Sequence, residues 1–267
     1  MRQLNFGLPI SIDEKNGEVR LGKDILCESA AAKNFSGIKH LAYNEGEADD
    51  NEHCYTFYQN IWTSQDAPVF QQRQMTNGIT VLMPGLMGYE CRKNSGHYHG
   101  LPQGHTSTLP EVYEVLCGKA VFLMQQSRGF LDERGPLQVE RLRAFFLHEG
   151  EKVVVPSFTA HCVINVGEGP MAFGNLSVPC PLHYEPIGRM HGFGMYLLKV
   201  DGQLVFVPNS RYKDLPQLEI GRPRECGKLG IQFNKPLYTA YKENPEQFEY
   251  LWNPEPYGDA IDTLYEG

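Results

Sequence analysis

From about Tyr55 to Pro208 the chain is cut into short runs rich in Val, Ile, Leu, Phe and Tyr, each closed by a turn signal: ITVLMPG, VYEVLCGKAVFLMQQ, VERLRAFFLHEGEKVVVP, TAHCVINVGEGPMAFGNLSVP and GMYLLKVDGQLVFVP. Runs of that length suit strands, and Asp201-Gly202 inside the last one supplies the positive φ that a tight hairpin needs. Twenty-seven glycines and eighteen prolines, about 17% of the residues, point the same way by supplying turns beyond ordinary usage. An all-β antiparallel sandwich or barrel is expected. Outside this core, Asn16-Gly17 marks a second hairpin, and one short helix is expected over 24–33, where CESAAAK collects good helix formers. The acidic stretch AYNEGEADDNEH reads as a solvated loop, because its carboxylates lack the spacing of a calcium loop.

With 267 residues and 41% hydrophobic content the chain can bury a substantial core. The formal charge of −8, with no basic run or stripe, argues against nucleic acid as a partner. The N-terminus MRQLNFGLPISIDEK lacks a secretory apolar run, and no stretch approaches the ~20 apolar residues that span a bilayer. Seven cysteines, odd in number and never spaced CxxC, read as thiols of a reducing compartment. A cytoplasmic protein with no membrane partner is expected. Residues 1–209 should form the main domain, with its barrel core at about 55–208. The segment 210–267, with nine aromatic residues including Trp252, should be an extension that packs on the barrel or on a partner subunit. One helix is expected there, with Asn244 as N-cap, Pro245 at the first position and Gln247 at the third, ending before Pro254.

The stretch SGHYHG raises the functional question. On a strand, His97 and His99 face one side and Tyr98 the other, which serves equally well as a polar outer face or as half of a metal site. Further donors follow. Glu111 heads EVYEVLCG, and GEKVVVPSFTAHCVIN carries His161 with Asn165 four residues on, on the same strand face and so able to support the same cavity. Three histidines and one carboxylate converge if these strands enclose one barrel.

HYH with EVYEVLCG, followed by GEKVVVPSFTAHCVIN, resembles the two motifs of the cupins, whose His, His, Glu and His hold one divalent metal in a double-stranded β-helix, a jelly-roll barrel. Two departures stand out: eleven residues separate His99 from Glu111, so GLPQGHTSTLP looks like an insertion, and Phe158 stands where the general pattern has glycine. With ITVLMPGLMGYE, SGHYHG, VPSFTAHCVINVGEGP and NSRYKD in order, residues from about Asn5 to Lys213 resemble the cupin-type, archaeal-type glucose-6-phosphate isomerases. The resemblance implies a cupin with a few short helices, the C-terminal extension being unmatched.

The resemblance further implies an aldose-ketose isomerase of glycolysis and gluconeogenesis, a homodimer acting on a small sugar phosphate. Its metal ligands would be His97, His99, Glu111 and His161, with Fe²⁺ the first choice and Mn²⁺ or Zn²⁺ the others; nitrogen-rich ligation disfavours Ca²⁺ and Mg²⁺. Glu111 would double as the base, although metal binding weakens a carboxylate and a hydride shift is the rival route. His183, in PLHYEP, would assist ring opening or proton relay, against the plainer reading of a loop histidine. Thr80, Ser95, Gly96 and Tyr113 would hold the phosphate end, with Ser95 substituting for a threonine replaced here by Asn94. Phe158 likewise replaces a tyrosine of some relatives. His40, His53, His148 and His191 have no partners at ligand spacing, and His105 reads as a loop residue. Two other classes share the donor set: another metal-dependent cupin enzyme, such as a different sugar-phosphate isomerase or a dioxygenase, and a non-catalytic sugar-binding cupin.

Overall fold

The structure is a computed structural model that describes residues 1–46, 49–132 and 137–265. Its framework is two facing sheets. The larger runs β13 (Lys152–Val155), β10 (Glu111–Cys117), β15 (Met171–Ser177), β6 (Thr76–Leu82), β5 (His53–Thr63) and β4 (Ile25–Asn34). Facing it are β14 (Thr159–Asn165), β11 (Lys119–Gln126), β12 (Arg141–His148) and β19 (Leu218–Gly221). Smaller sheets close the ends: β1 (Arg2–Gln3), β2 (Ile10–Ile12) and β3 (Val19–Leu21); β7 (Leu86–Met87) and β8 (Glu90–Cys91) with β17 (Met195–Val200) and β18 (Gln203–Pro208); and β9 (Tyr98–His99) with β16 (Leu182–His183).

Alternation along each strand sorts the side chains into an interior and two outer layers. The interior holds Tyr113, Val115, Val153, Val155 and Phe173 from the large sheet against Phe122, Met124, Phe145 and Val163 from the small one. Outside the small sheet, Val121, Leu123, Ala144 and Cys162 pack with Tyr98, Phe193 and Tyr212. The outer face of the large sheet is covered by both chain ends: Phe6, Ile10 and Ile12 from one, and Tyr238, Tyr241, Phe248 and Tyr250 from the other. The C-terminal extension is therefore part of this chain's own core. It also adds β19 to the small sheet, parallel to β12, and it is bound by a buried ion pair. Lys152 Nζ lies 2.8 Å from Glu114 Oε1 and donates to the Gln232 carbonyl, while the Leu237 N–H donates to Glu114 Oε2.

Local expectations meet the structure unevenly. Asp201 and Gly202 take φ of 49° and 78° between the paired Val200 and Gln203, as a two-residue hairpin turn requires. The hairpin around Asn16-Gly17 joins β2 and β3 through a wider turn, with Ile12 opposite Val19. The helix expected over 24–33 is absent: β4 runs straight through it, paired with β5. Helix propensity in CESAAAK is overruled by an open sheet edge that satisfies the backbone of the whole segment at once. Near the C-terminus Asn244 makes no side-chain cap, and Pro245–Leu251 is a 3₁₀ helix with non-helical angles at Phe248. A second helix, Leu237–Glu243, precedes it. In the acidic loop, residues 47 and 48 lie outside the described residues; of the rest, Asp50 pairs with Lys39 and Glu52 with Arg92.

Candidate metal centre

β14 and the segment leading into β9 meet in an isolated antiparallel bridge. His97 N–H donates to the His161 carbonyl at 3.3 Å, and His161 N–H to the His97 carbonyl at 3.2 Å. Directly opposed residues point to one face, so both imidazoles enter the interior, and alternation sends His99 after them. The ring centroids lie 4.8 Å apart for His97 and His161, 5.3 Å for His97 and His99, and 5.4 Å for His99 and His161. Glu111, at the head of β10, completes the group with Oε2 3.1 Å from His99 Nε2 and 3.3 Å from His161 Nε2. One donor atom from each of the four residues falls within 4.8 Å of all the others.

Neighbours orient these donors. The Leu109 carbonyl, 2.7 Å from His99 Nδ1, can only accept, so that nitrogen carries a proton and Nε2 faces the carboxylate. Asn175 Nδ2 donates to Glu111 Oε1 at 2.8 Å, which leaves Oε2 to face the imidazoles. Asn175 fits only because Gly78 lies beneath it: a Cβ there would stand 2.9 Å from Asn175 Oδ1 and 2.5 Å from the Tyr58 carbonyl. The Tyr113 hydroxyl lies 2.8 Å from His161 Nε2, and His161 Nδ1 is buried with no hydrogen-bond partner among the described residues.

Burial pushes the His97 imidazole well below its ordinary pKa, and His161 and His99 add to the effect. Burial opposes charge on His99 too, but Cys180 and Glu111 outweigh it and raise that imidazole to about 10. Burial would raise Glu111, yet its contacts with His161 and His99 hold it well below the usual carboxylate range. The group is thus an electrostatic well for a cation. Three imidazole nitrogens and one carboxylate suit Fe²⁺, Mn²⁺ or Zn²⁺ better than Ca²⁺ or Mg²⁺, so the residues present fit a divalent transition metal. The well opens into a cavity of about 740 Å³.

With this geometry in place, the chain was compared with known proteins. The sequence pattern of the family described as Glucose-6-phosphate isomerase (GPI) matches residues 32–214, more than half of the chain. The chain belongs to this family. Among its relatives, the glucose-6-phosphate isomerase of Thermococcus kodakarensis is 28% identical over 207 residues, covering 77% of this chain and 96% of that one. That of Thermococcus onnurineus is 24% identical over 204 residues, covering 76% and 95%. A solved oxalate oxidase in complex with the substrate analogue glycolate is similar at 18% identity and a TM-score of 0.31, over 43% of this chain and 47% of that one, too slight a likeness to carry an argument.

Of the positions the family resemblance assigns, Thr80, Ser95, Gly96 and Tyr113 all line the cavity. Gly96 has φ 66°, and a Cβ on it would meet the Phe193 ring and the His161 carbonyl at 2.6 Å, so no other residue fits there. Phe158, in the place of the general cupin glycine, keeps the left-handed backbone with φ 60°; its N–H donates to Thr108 Oγ1, and its ring lies under Arg128.

Two expectations are corrected. His183 does not enter the cavity. It pairs with Tyr98 across β16 and β9 and shares that residue's outward side, packing on Phe130, while Leu182 and Tyr184 on either side of it line the cavity. Asn165 does not support the donors either: its side chain donates to the carbonyls of Leu82 and Gly169 and accepts from Gly167 N–H, bracing a turn. The support comes from Asn175, ten residues on, and from Leu109 in the inserted loop. His105 of that loop is bound to Glu255 of the extension at 3.3 Å. Lys33, His40, Tyr55, Asn175, Cys180 and Tyr184 also line the cavity. Sequence reasoning missed them because their inward direction depends on which residues stand opposite across strands; a polar Asn175 in step with Met171 and Phe173 on β15 was the one available signal.

Proposed function

We propose that this protein is a metal-dependent aldose-ketose isomerase interconverting glucose 6-phosphate and fructose 6-phosphate. The observation that carries the reading is the four-residue donor group opening into a cavity, in a chain of the glucose-6-phosphate isomerase family. A divalent ion held by His97, His99, Glu111 and His161 would supply Lewis-acid stabilisation of charge developing on the sugar's oxygens, worth several kcal/mol. Iron is the first choice, and Mn²⁺ or Zn²⁺ would fit the same donors.

The chain's own residues do the rest. In this reading Glu111 would take a proton at one sugar carbon and return it at the next, and Asn175 supports that role by holding Oε1 while Oε2 faces the interior. Tyr113 faces the same space, its hydroxyl anchored on His161. Thr80 Oγ1, Ser95 Oγ and the Gly96 N–H offer the phosphate hydroxyl and backbone donors, and the Tyr55 hydroxyl, 3.2 Å from Ser95 Oγ, orients that donor. With this reading go a cytoplasmic location, a place in glycolysis and gluconeogenesis, and a homodimer, all supported by family resemblance. Among the described residues no helix is long and apolar enough to cross a membrane.

The test is a coupled assay on chelated protein reconstituted with single metals, with His97→Ala as control. Fructose 6-phosphate should be converted by the Fe²⁺ or Mn²⁺ protein, lost with EDTA and absent in the variant. Metal-loaded protein that turns over no hexose phosphate would overturn the reading, and oxygen consumption during turnover would point to the dioxygenase class.

A further inference from the structure

A sugar phosphate brings a dianion into this cavity, yet Thr80, Ser95 and Gly96 are neutral donors in a chain of formal charge −8. Apart from His97 and His99 of the metal centre, the basic side chains lining the cavity are Lys33 and His40. Burial lowers the pKa of His40, and His191 and Lys33 lower it further against the opposing pull of Glu45, so His40 is mainly neutral near pH 7. Lys33 enters no ion pair among the described residues. Its charge is available to a ligand.

Strand register places that charge. Lys33 on β4 stands directly opposite Tyr55 on β5, and opposed residues share a face with their Cβ atoms about 5 Å apart. Tyr55 reaches across the cavity to Ser95 Oγ at 3.2 Å. Lysine and tyrosine have nearly the same reach, so the ammonium can arrive where the tyrosine hydroxyl does. The Lys33 stem runs beside Gly37, which also lines the cavity. Asn94, where the family resemblance sets a phosphate-binding threonine, accepts the Val163 N–H on Oδ1 at 2.8 Å and gives its backbone N–H to the Val163 carbonyl at 3.1 Å, so what it can still offer the cavity is a neutral amide.

We propose that Lys33 is the cationic phosphate anchor of this cavity, the residue by which it prefers a phosphorylated sugar to a neutral one. The inference rests on the isomerase reading for its substrate class. A charge-assisted contact at a partly solvated mouth should be worth about tenfold in affinity. The variants are Lys33→Met and Lys33→Arg in the metal-loaded protein. Lys33→Met should raise KM for fructose 6-phosphate about tenfold with kcat nearly unchanged and should flatten the salt dependence of KM, and Lys33→Arg should restore most of both. Binding of sorbitol 6-phosphate, which cannot isomerise, is followed by calorimetry beside sorbitol. Lys33→Met should weaken the phosphate ester about tenfold and leave the neutral polyol unaffected. Equal affinity of wild type and Lys33→Met for sorbitol 6-phosphate would overturn the assignment, as would an equal loss in Lys33→Met and Lys33→Arg accompanied by a lower melting temperature, the mark of a structural lysine. If no hexose phosphate is turned over, the isomerase reading fails on that assay alone, and the calorimetric comparison still decides the role of Lys33.

Discussion

β10 and β4 belong to one sheet and both send side chains into one cavity, but different forces hold them as strands. All seven residues of β10 are buried, between interior residues such as Phe173 and the aromatic cover of the C-terminal extension. β4 is the sheet edge, exposed along nearly all of its length, with three consecutive alanines at its centre. In β10 packing on two faces and the backbone ladder agree. In β4 the ladder with β5 acts almost alone, against a local preference for helix. The difference teaches that the chemistry most sensitive to geometry sits where several constraints coincide, and that selectivity for the substrate's far end can be carried by a strand with little else to hold it.

That contrast can be broken by measurement. Its largest consequence lies at the buried centre: His161→Ala, or chelation of wild type, should reduce isomerase turnover by about a thousandfold or more, since the loss of several kcal/mol of charge stabilisation is at stake. Retained activity in either case would remove the buried group from the chemistry. Next comes the ion pair behind β10. Lys152→Met leaves Glu114 buried and unpaired, and denaturant unfolding should show a loss of about 3–5 kcal/mol, most of it recovered in the Lys152→Met, Glu114→Leu double variant. A smaller effect is expected of Asn175→Ala, which should weaken metal affinity roughly 10- to 100-fold in a direct titration, whereas Asn165→Ala should leave that affinity as it is. Smallest is the edge. Ala30→Thr, on an exposed strand, should change stability by no more than about 0.5 kcal/mol, and in the favourable direction; clear destabilisation would say that helix propensity still matters there.

The sequence made one part of this molecule readable and hid another for the same physical reason. His97 and His99 could be put on one side from their i, i+2 spacing, and Glu111 and His161 joined them on paper because each sits in a strand-like apolar run that resembles a cupin motif. The barrel rhythm between Tyr55 and Pro208 was readable on the same grounds. Lys33, Tyr55 and Asn175 face the cavity by virtue of cross-strand register, Lys33 opposite Tyr55 and Asn175 opposite both Gly78 and Tyr113, and no local pattern states which residue will stand opposite which. His183 failed as a sequence inference at the same step: its strand is two residues long, and only its pairing with Tyr98 reveals which way it points. CESAAAK was misread as a helix because alanine carries no apolar signature from which an edge strand can be inferred.

The Glu114 to Lys152 pair has a consequence for how the molecule opens. The extension cannot lift from the large sheet without exposing a buried ammonium and a buried carboxylate, and Glu114 is three residues from Glu111 on one strand. Amide hydrogens of residues 111–117 and of the Leu237–Glu243 helix should therefore exchange with solvent together, at the rate of global unfolding, while those at the outer edge of β4 exchange by local fraying. The tail and the Glu111 carboxylate would then behave as a single cooperative unit, so that a destabilised C-terminus is felt as loss of the whole native state before any partial release.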